Sequence, residues 1–306
     1  MVRALRGRPG AAAVGILADR LLGEPRDEMH PVAAFGRAME AVEARLYSDD
    51  RLAGVAHATV GVGLGLAAGC TVRSATAATW SAVGGRALGD AALAVGGALT
   101  AGDLPAARAL LPSLVGRDPS QLDEKEIARA VVESVAENTV DAVVAPALWA
   151  AAAGAPGVLA HRAINTMDAM VGHHSDRYER YGWAAARLDD AAAWVPARVT
   201  VALVAACRPA RARSVWDTVR RDAGAHPSPN SGVAEAAFAA ALGLALGGES
   251  RYGDRVEVRP ALGDGRAASP DDIQPAVELS RDVGTALAVA LLVAEAGRRV
   301  RKGWWG

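Results

Sequence analysis

Two stretches of this 306-residue chain concentrate side chains able to handle protons, metal ions and phosphate: ESVAENTVDAVVAP, starting at Glu133, and HRAINTMDAMVGHHSDRYERYGWAAARLDD, running from His161 to Asp190. They flank the apolar AVVAPALWAAAAGAPGVLA. A charge beside so oily a segment costs free energy unless it is paired or solvated, so the crowding calls for a chemical explanation. In the first stretch the helical step of about 100° per residue sends Glu133, Glu137 and Asp141 along one stripe, provided that the helix runs past Asn138. Three aligned carboxylates hold Mg²⁺ or act as bases. Pairing of Arg129 with Glu133 at i,i+4 on a solvated face is the plainer alternative. The second stretch mixes acids, amides, imidazoles and arginines, which is what phosphate chemistry needs. Carboxylates or Asn165 would hold a magnesium ion bridging phosphate oxygens, and Arg177, Arg180 or Arg187 would neutralise the remaining charge. His173 and His174 point about 100° apart on a helix and do not form a two-imidazole metal site. Tyr178, Tyr181 and Trp183 suit interfacial anchoring or ligand contact.

Two proline-punctuated clusters add polar groups. LADRLLGEPRDEMHPVAAFG carries Asp19, Glu24, Arg26 and His30, and RRDAGAHPSPNSG carries His226, Ser228 and Asn230. Proline holds the preceding residue extended, so such turns present side chains to a ligand or simply connect elements. A GxSxG elbow and a Walker-type glycine loop followed by Lys are absent from the sequence, which removes the usual signatures of acyl-serine hydrolases and P-loop enzymes.

The elements that must position these groups are apolar and helical. With 51% hydrophobic and 22% charged residues, the chain lies between apolar soluble proteins and polytopic membrane proteins with large polar loops. A formal net charge of -1 gives no general field for nucleic acid. Cys70 and Cys207 stand far apart, so neither a disulfide framework nor a thiolate zinc site is expected. Leu52 to Val72 is free of formal charge, bounded by Arg51 and Arg73, and long enough to cross about 30 Å of hydrocarbon. Its Gly61, Gly65 and Gly69 form a smooth ridge for close helix approach. Ala142 to Ala160 spans the bilayer or, broken at Gly154, Pro156 and Gly157, folds into a helical hairpin. Ala191 to Cys207, Val233 to Gly247 and Val283 to Gly297 are shorter or interrupted. The region from Ser74 to Thr100, with Arg86 and Asp90, reads as a helix packed on protein. Asp103 caps a short helix ending at Pro112, and Asp123 with Glu126 has capping-box spacing for a longer one. No sustained alternation announces a large sheet. The expected architecture is all-α: a single domain over 1–306, a polytopic membrane bundle of four or five spans with polar loops and short interfacial helices. An Ala-rich soluble bundle is the alternative.

Seven blocks in order carry a resemblance to a known family: DRLLGEPR with HPV, AGDLPAARALLPSLVGRD, ESVAENTVDAVVAP, HRAINTMDAMVG, ERYGWAAARLDD with WVPAR, HPSPNSG and LGGESRYG. In these the chain resembles the CobD/CbiB family, the adenosylcobinamide-phosphate synthases of cobalamin biosynthesis. The resemblance implies a multi-pass cell-membrane enzyme, its site cytoplasmic, that joins adenosylcobyric acid to (R)-1-amino-2-propanol or its O-phosphate through an amide on the ring-D propionate. It implies ATP and Mg²⁺, because a carboxylate does not condense with an amine unless its oxygen becomes a leaving group, as in an acyl phosphate or an adenylate. In that light Glu137, Asn138, Asp141, Asp168 and Asp189 are the expected catalytic set, and Glu133, Glu137, Asp168 and Asp189 the expected magnesium ligands. Asn165 and His30, Arg177, Arg187, Arg198, Ser228 and Asn230 are expected to bind substrate, the arginines by taking phosphate. All would converge on one pocket on one side of the lipid, within reach of other enzymes of the pathway. The chain departs from the family pattern at Glu24, at Ala142 and across Gly172 to Asp176, where neutral imidazoles stand in place of a fixed positive charge and would change phosphate contact or the amine accepted. A corrinoid transporter or binding component, and a membrane prenyltransferase using Asp168, Asp176 and Glu179, are the competing classes.

Overall fold

The computed structural model describes residues 7–24, 31–72, 74–116, 118–252 and 255–304. The chain divides into two compact units, one of Met1–Gly84, Asp141–Pro196 and Leu287–Gly306, the other of Gly85–Val140 and Ala197–Ala286.

The first unit is helical and is organised by small residues. It contains α1 (Pro9–Leu22), α2 (Pro31–Leu46), α3 (Arg51–Thr71), α4 (Ala75–Trp80), α8 (Ala145–Met167) and the N-terminal part of α9 (Trp183–Cys207). Asp50 starts α3 by accepting the amides of Leu52 and Ala53 at 2.7 and 3.0 Å, satisfying two donors that a helix start leaves open. The expected glycine ridge is the packing face: Gly61 lies on Met167, Gly65 on Leu159 and Ala160, and Gly69 on Pro156. The descending partners along α8 show that the two helices run antiparallel. Gly154 interrupts α8 at φ 68°, ψ -152°, a conformation accessible essentially to glycine alone. There the chain reverses. Trp149 and His161 would be about 18 Å apart along a straight helix, yet their rings stack at 6.5 Å. The hairpin reading of Ala142 to Ala160 is therefore the structure adopted. A second proline is accommodated by a side chain: Pro196 inside α9 has no N–H to give the carbonyl of Ala192, and the indole of Trp149 donates to that oxygen instead, at 3.1 Å.

The second unit holds α5 (Gly85–Thr100), α6 (Leu104–Leu110), α7 (Glu124–Thr139), α10 (Ala212–Asp222), α11 (Ser231–Leu242), the rest of α9 and the start of α12 (Ile273–Trp304). Both predicted caps form: Asp103 accepts the amide of Ala106, and Asp123 with Glu126 completes a reciprocal capping box. The all-α expectation needs one correction. After Gly243 ends α11 in the left-handed conformation, β1 (Leu244–Tyr252), β2 (Arg255–Leu262) and β3 (Arg266–Ala267) make a small sheet in the order β2-β1-β3. Strands β1 and β2 are antiparallel with a bulge between Leu246 and Gly248. The bulge explains the glycine pair in LGGESRYG, since Gly247 and Gly248 adopt φ of 86° and 92°. The period-2 signal of RVEV was too short to stand out in a helical sequence.

Among the described residues three helical stretches are long and apolar enough to cross a membrane: Arg51–Thr71, Glu124–Gly172, which contains the reversal at Gly154, and Trp183–Cys207. Fewer stretches meet that criterion than the four or five spans expected. Exposed Leu52, Val55, Leu64, Trp194 and Val195 give α3 and α9 apolar outer faces, as lipid contact requires. Cys70 and Cys207 are free.

Candidate active site

In the first unit a chain of hydrogen bonds runs through the second polar stretch. Arg162 donates to Asn165 Oδ1 at 3.3 Å, and Asn165 Nδ2 donates to Asp189 Oδ1 at 3.4 Å. Each bond fixes the next: a cation on the amide oxygen leaves the amide NH₂ for the carboxylate. Arg162, on an apolar helix, also feels the charges of Glu24 and Asp141. The Glu24 carboxylate lies against Gly84, beside Ala142, so the two departures from the family pattern in this region are neighbours. The backbone departs from α-helix at both candidate acids. π-Helical turns cover Val140–Val144 and Asp168–Gly172, so the 100° phase expected to align Asp141 with Glu133 and Glu137 ends at Thr139. Such turns re-aim side chains and recur at functional sites. Arg162 was not singled out from the sequence. Its signal was a cation three residues before Asn165, within an otherwise apolar run.

Arg177, expected to take phosphate, has partners within the protein. Its guanidinium is held by Glu43 at 2.9 Å and lies over the Tyr47 ring at 3.9 Å from the centroid. Tyr178 donates to the same Glu43 oxygen at 3.0 Å. The hydrogen bond from Arg177 to Glu43 holds the guanidinium firmly protonated, and burial pushes the Tyr181 phenol up to about 12. This cluster joins α2 to the loop before α9 and packs on Met39, Met167 and Val171. Arg187 is exposed and ion-pairs with Asp190 at 3.8 Å. His174 meets Glu179 at 2.8 Å in solvent. His30 lies outside the described residues.

In the second unit the first polar stretch supports the sheet. Glu133 is 3% exposed, accepts the Gly247 amide at 2.9 Å and pairs with Arg129 at 3.8 Å, while Arg129 donates to the Gly247 carbonyl. Neither a solvated face nor a metal ligand describes it: the pair holds the β1 bulge. Asn138 donates to the Ser134 carbonyl at 2.9 Å, one turn earlier. Glu137 accepts from Ser231 Oγ at 2.7 Å. Arg198 donates to Asn230 Oδ1 at 2.8 Å, and Ser228 Oγ accepts the amides of Asn230 and Ser231, closing the turn into α11. A cleft of about 410 Å³ opens here, lined by Arg198, Trp216, His226, Pro227, Pro229 and Val233 among others. The sequence placed His226 in a turn that either presents side chains to a ligand or connects elements, and gave it no separate role. The His226 Nδ1 lies 3.1 Å from the Ser228 amide and 3.2 Å from the Ser228 carbonyl oxygen, and its Nε2 is 3.9 Å from buried Glu235. Burial holds the imidazole below its ordinary range, outweighing the pull of nearby acids.

Among the described residues no group of three or more His, Cys, Asp or Glu side chains is arranged to hold a metal ion. Magnesium bound with a nucleotide needs less: one or two carboxylates, waters and phosphate oxygens. Asp189, oriented by Asn165, meets that smaller demand, and Asp168 belongs to the same unit. Glu133, committed to the Gly247 amide, does not.

Apolar helices bearing a half-buried Arg–Asn–Asp chain define a helical protein of membrane type with enzyme-like polar sites. The sequence profile of the family described as CobD/Cbib protein matches residues 12–280, and the chain belongs to the CobD/CbiB family. It is similar to the "Cobalamin biosynthesis protein CobD" of Mycobacterium tuberculosis (strain CDC 1551 / Oshkosh), 50% identical over 295 residues covering 92% of this chain and 94% of the relative. The protein of the same name from Stutzerimonas stutzeri (strain A1501) is 42% identical over 296 residues, 91% of this chain and 94% of that one. That of Geobacter metallireducens (strain ATCC 53774 / DSM 7210 / GS-15) is 41% identical over 268 residues, 81% and 84%. No solved structure matches the chain.

Proposed function

We propose that this chain acts in cobalamin biosynthesis as an ATP-dependent amide ligase, an adenosylcobinamide-phosphate synthase. It would join the ring-D propionate of adenosylcobyric acid to (R)-1-amino-2-propanol or its O-phosphate, as a multi-pass protein of the cell membrane with a cytoplasmic site. Membership of the CobD/CbiB family supports the pathway. The observation that carries the reaction class is the Arg162–Asn165–Asp189 chain set in apolar helices, where an ionisable group is expensive and so marks function. Magnesium–ATP, when bound, supplies the leaving group for the propionate oxygen.

The residues supply orientation and proton handling. Asp189, held by Asn165, faces the incoming amine and takes the proton that an ammonium must lose before attack. Arg162 fixes the Asn165 amide and, with Asp141 and Asp168 in the same unit, sets the local charge around the developing oxyanion. Arg187, an exposed cation of this unit, is assigned to phosphate. In the other unit Arg198, held by Asn230, lines the cleft and contacts a phosphorylated ligand, Ser228 shapes the adjoining turn, and Glu137 supports that turn through Ser231.

The test is purified protein in detergent given adenosylcobyric acid, the amine donor and magnesium–ATP. Nucleotide consumption dependent on both organic substrates, with the amide product found by mass, is the expected result, and Asp189→Asn should lower turnover about 10²-fold or more. Corrinoid binding without product would favour a carrier, and diphosphate release from a prenyl donor would favour a transferase; either outcome ends the ligase assignment.

A further inference from the structure

One face of α12 changes character along its length. At the helical step of about 100° per residue, Gln274, Glu278, Asp282, Val289, Val293 and Val300 fall on a single side, and all six are exposed. The first three are polar and set in an ionic surface: Gln274 donates to Glu278 at 2.9 Å, Asp282 pairs with Arg208 at 2.8 Å, and neighbouring Arg281 lies 3.9 Å from Asp90 of α5. Hydrocarbon cannot solvate such groups, so this part of the face belongs in water. From Leu287 on, where α12 enters the first unit, the same side is apolar, with Val289 55% and Val293 68% exposed and Leu292 beside them. In α3, of the same unit, glycines meet α8 while Val55, Val60 and Leu64 look outward. The starts of α3 and α9 meet in a cation–π pair, Arg51 over Trp183 at 5.1 Å, an anchor of the kind that sits at membrane surfaces. In the second unit the exposed large hydrophobic residues, among those described, are Leu110, Trp216 and Val258, one each on α6, α10 and β2, and such scattered residues need no cover.

We propose that α12 passes from water into lipid near Ala286, with acyl chains covering Val289, Leu292, Val293 and Val300. The inference rests on the membrane reading above and adds a fourth apolar segment to the three of span length. In sequence Glu295 interrupts this stretch, yet in the fold its side chain lies against Gly10 of α1, away from the apolar face. Arg298 likewise turns to protein and donates to the Gly7 carbonyl at 3.2 Å. At the helical rise Leu287 to Val300 covers about 20 Å, short of the roughly 30 Å of hydrocarbon. Arg299 and Arg301, exposed at the end of the stripe, have stems long enough to reach headgroups.

The experiment uses the full chain in liposomes of phosphatidylcholine and phosphatidylglycerol that carry a photoactivatable carbene on the acyl chain. Expected is label in residues 282–298 and none in 267–281, the two tryptic peptides that meet at Arg281. Single-cysteine variants Gln274→Cys, Glu278→Cys, Val289→Cys and Val293→Cys, made without Cys70 and Cys207, add a rate. A charged maleimide should react about 10²-fold more slowly at the two valine positions, because carrying a charge into hydrocarbon is costly. The carbene map needs no variant, so it decides the matter even if the cysteine proteins misfold. Label on both peptides or on neither, or equal maleimide rates at all four positions, would overturn the proposal. Disulfide cross-linking of Val289→Cys between two copies would show a protein interface and overturn it as well. Leu64→Cys on α3 separates this proposal from the reading it rests on: if it stays protected while Val289→Cys and Val293→Cys react freely, only the α12 segment falls, and if it reacts as freely as Glu278→Cys, the membrane reading falls too.

Discussion

Replacing Gly65 by alanine tests whether helix approach in the first unit is set by the glycine ridge of α3. A methyl built there would lie 2.8 Å from the Leu159 carbonyl oxygen and 2.9 Å from both Ala160 Cα and Ala163 Cβ. All three belong to rigid parts of α8, so α3 must move out by roughly half an ångström, a gap that already forfeits about a quarter of the dispersion well for each flanking contact. Overpacking of this kind costs about 1–3 kcal/mol. Gly63, on the other face of the same helix, has nothing within 4 Å of an added methyl, and Ala there should gain up to about 1 kcal/mol of helix propensity. Both positions gain that propensity, so two chemically identical substitutions two residues apart should differ by about the overpacking cost, roughly 1–3 kcal/mol. Gly69→Ala should be worse than Gly65→Ala, because the added methyl overlaps the Pro156 backbone. Gly61→Ala should be milder, because it meets the flexible end of Met167. Unfolding midpoints of the purified variants in one detergent rank all four. Gly65→Ala at least as stable as Gly63→Ala would refute the packing argument.

Two other substitutions separate structural from chemical carboxylates. Glu133→Gln should destabilise the second unit by about 2–3 kcal/mol, since its buried oxygen serves the Gly247 amide and Arg129; a midpoint unchanged to within 0.5 kcal/mol, on the order of error for a surface site, would contradict the anchoring role. Asp272 is 5% exposed, and although burial opposes ionisation, Arg266 at 2.6 Å and Ser269 hold its carboxyl below the ordinary carboxylate range. A folded-state pKa below the unfolded one gives stability that is present above about pH 4 and lost as pH falls through the folded value. Acid titration of the unfolding midpoint should accordingly be flatter for Asp272→Asn than for the parent, and parallel curves would exclude this linkage.

How much of this was legible before the fold depended on how far each constraint reached along the chain. The Asp103 and Asp123 caps could be read directly because a cap is settled within four residues, and the Gly61, Gly65, Gly69 face because one helix period settles it. The reversal at Gly154 could be named only as an alternative, since Gly154, Pro156 and Gly157 serve equally as a kink or a hairpin until Trp149 is seen against His161. Glu133 was misread for a physical reason: its partner is a backbone amide more than a hundred residues away, on a bulge whose strand has no strong alternation. The partner of Arg177 could not be read either, because Glu43 sits in an unremarkable amphipathic helix with no local pattern that announces the pair. Asn165 and Asp189 fall between these cases. Their residue types announced chemistry, and the structure adds what spacing could not, that Arg162 orients the amide and the amide orients the acid. Substitution of Asn165 should therefore act through Asp189, which is why a polar site in an apolar helix is better understood from its order of hydrogen bonds than from its inventory of charges.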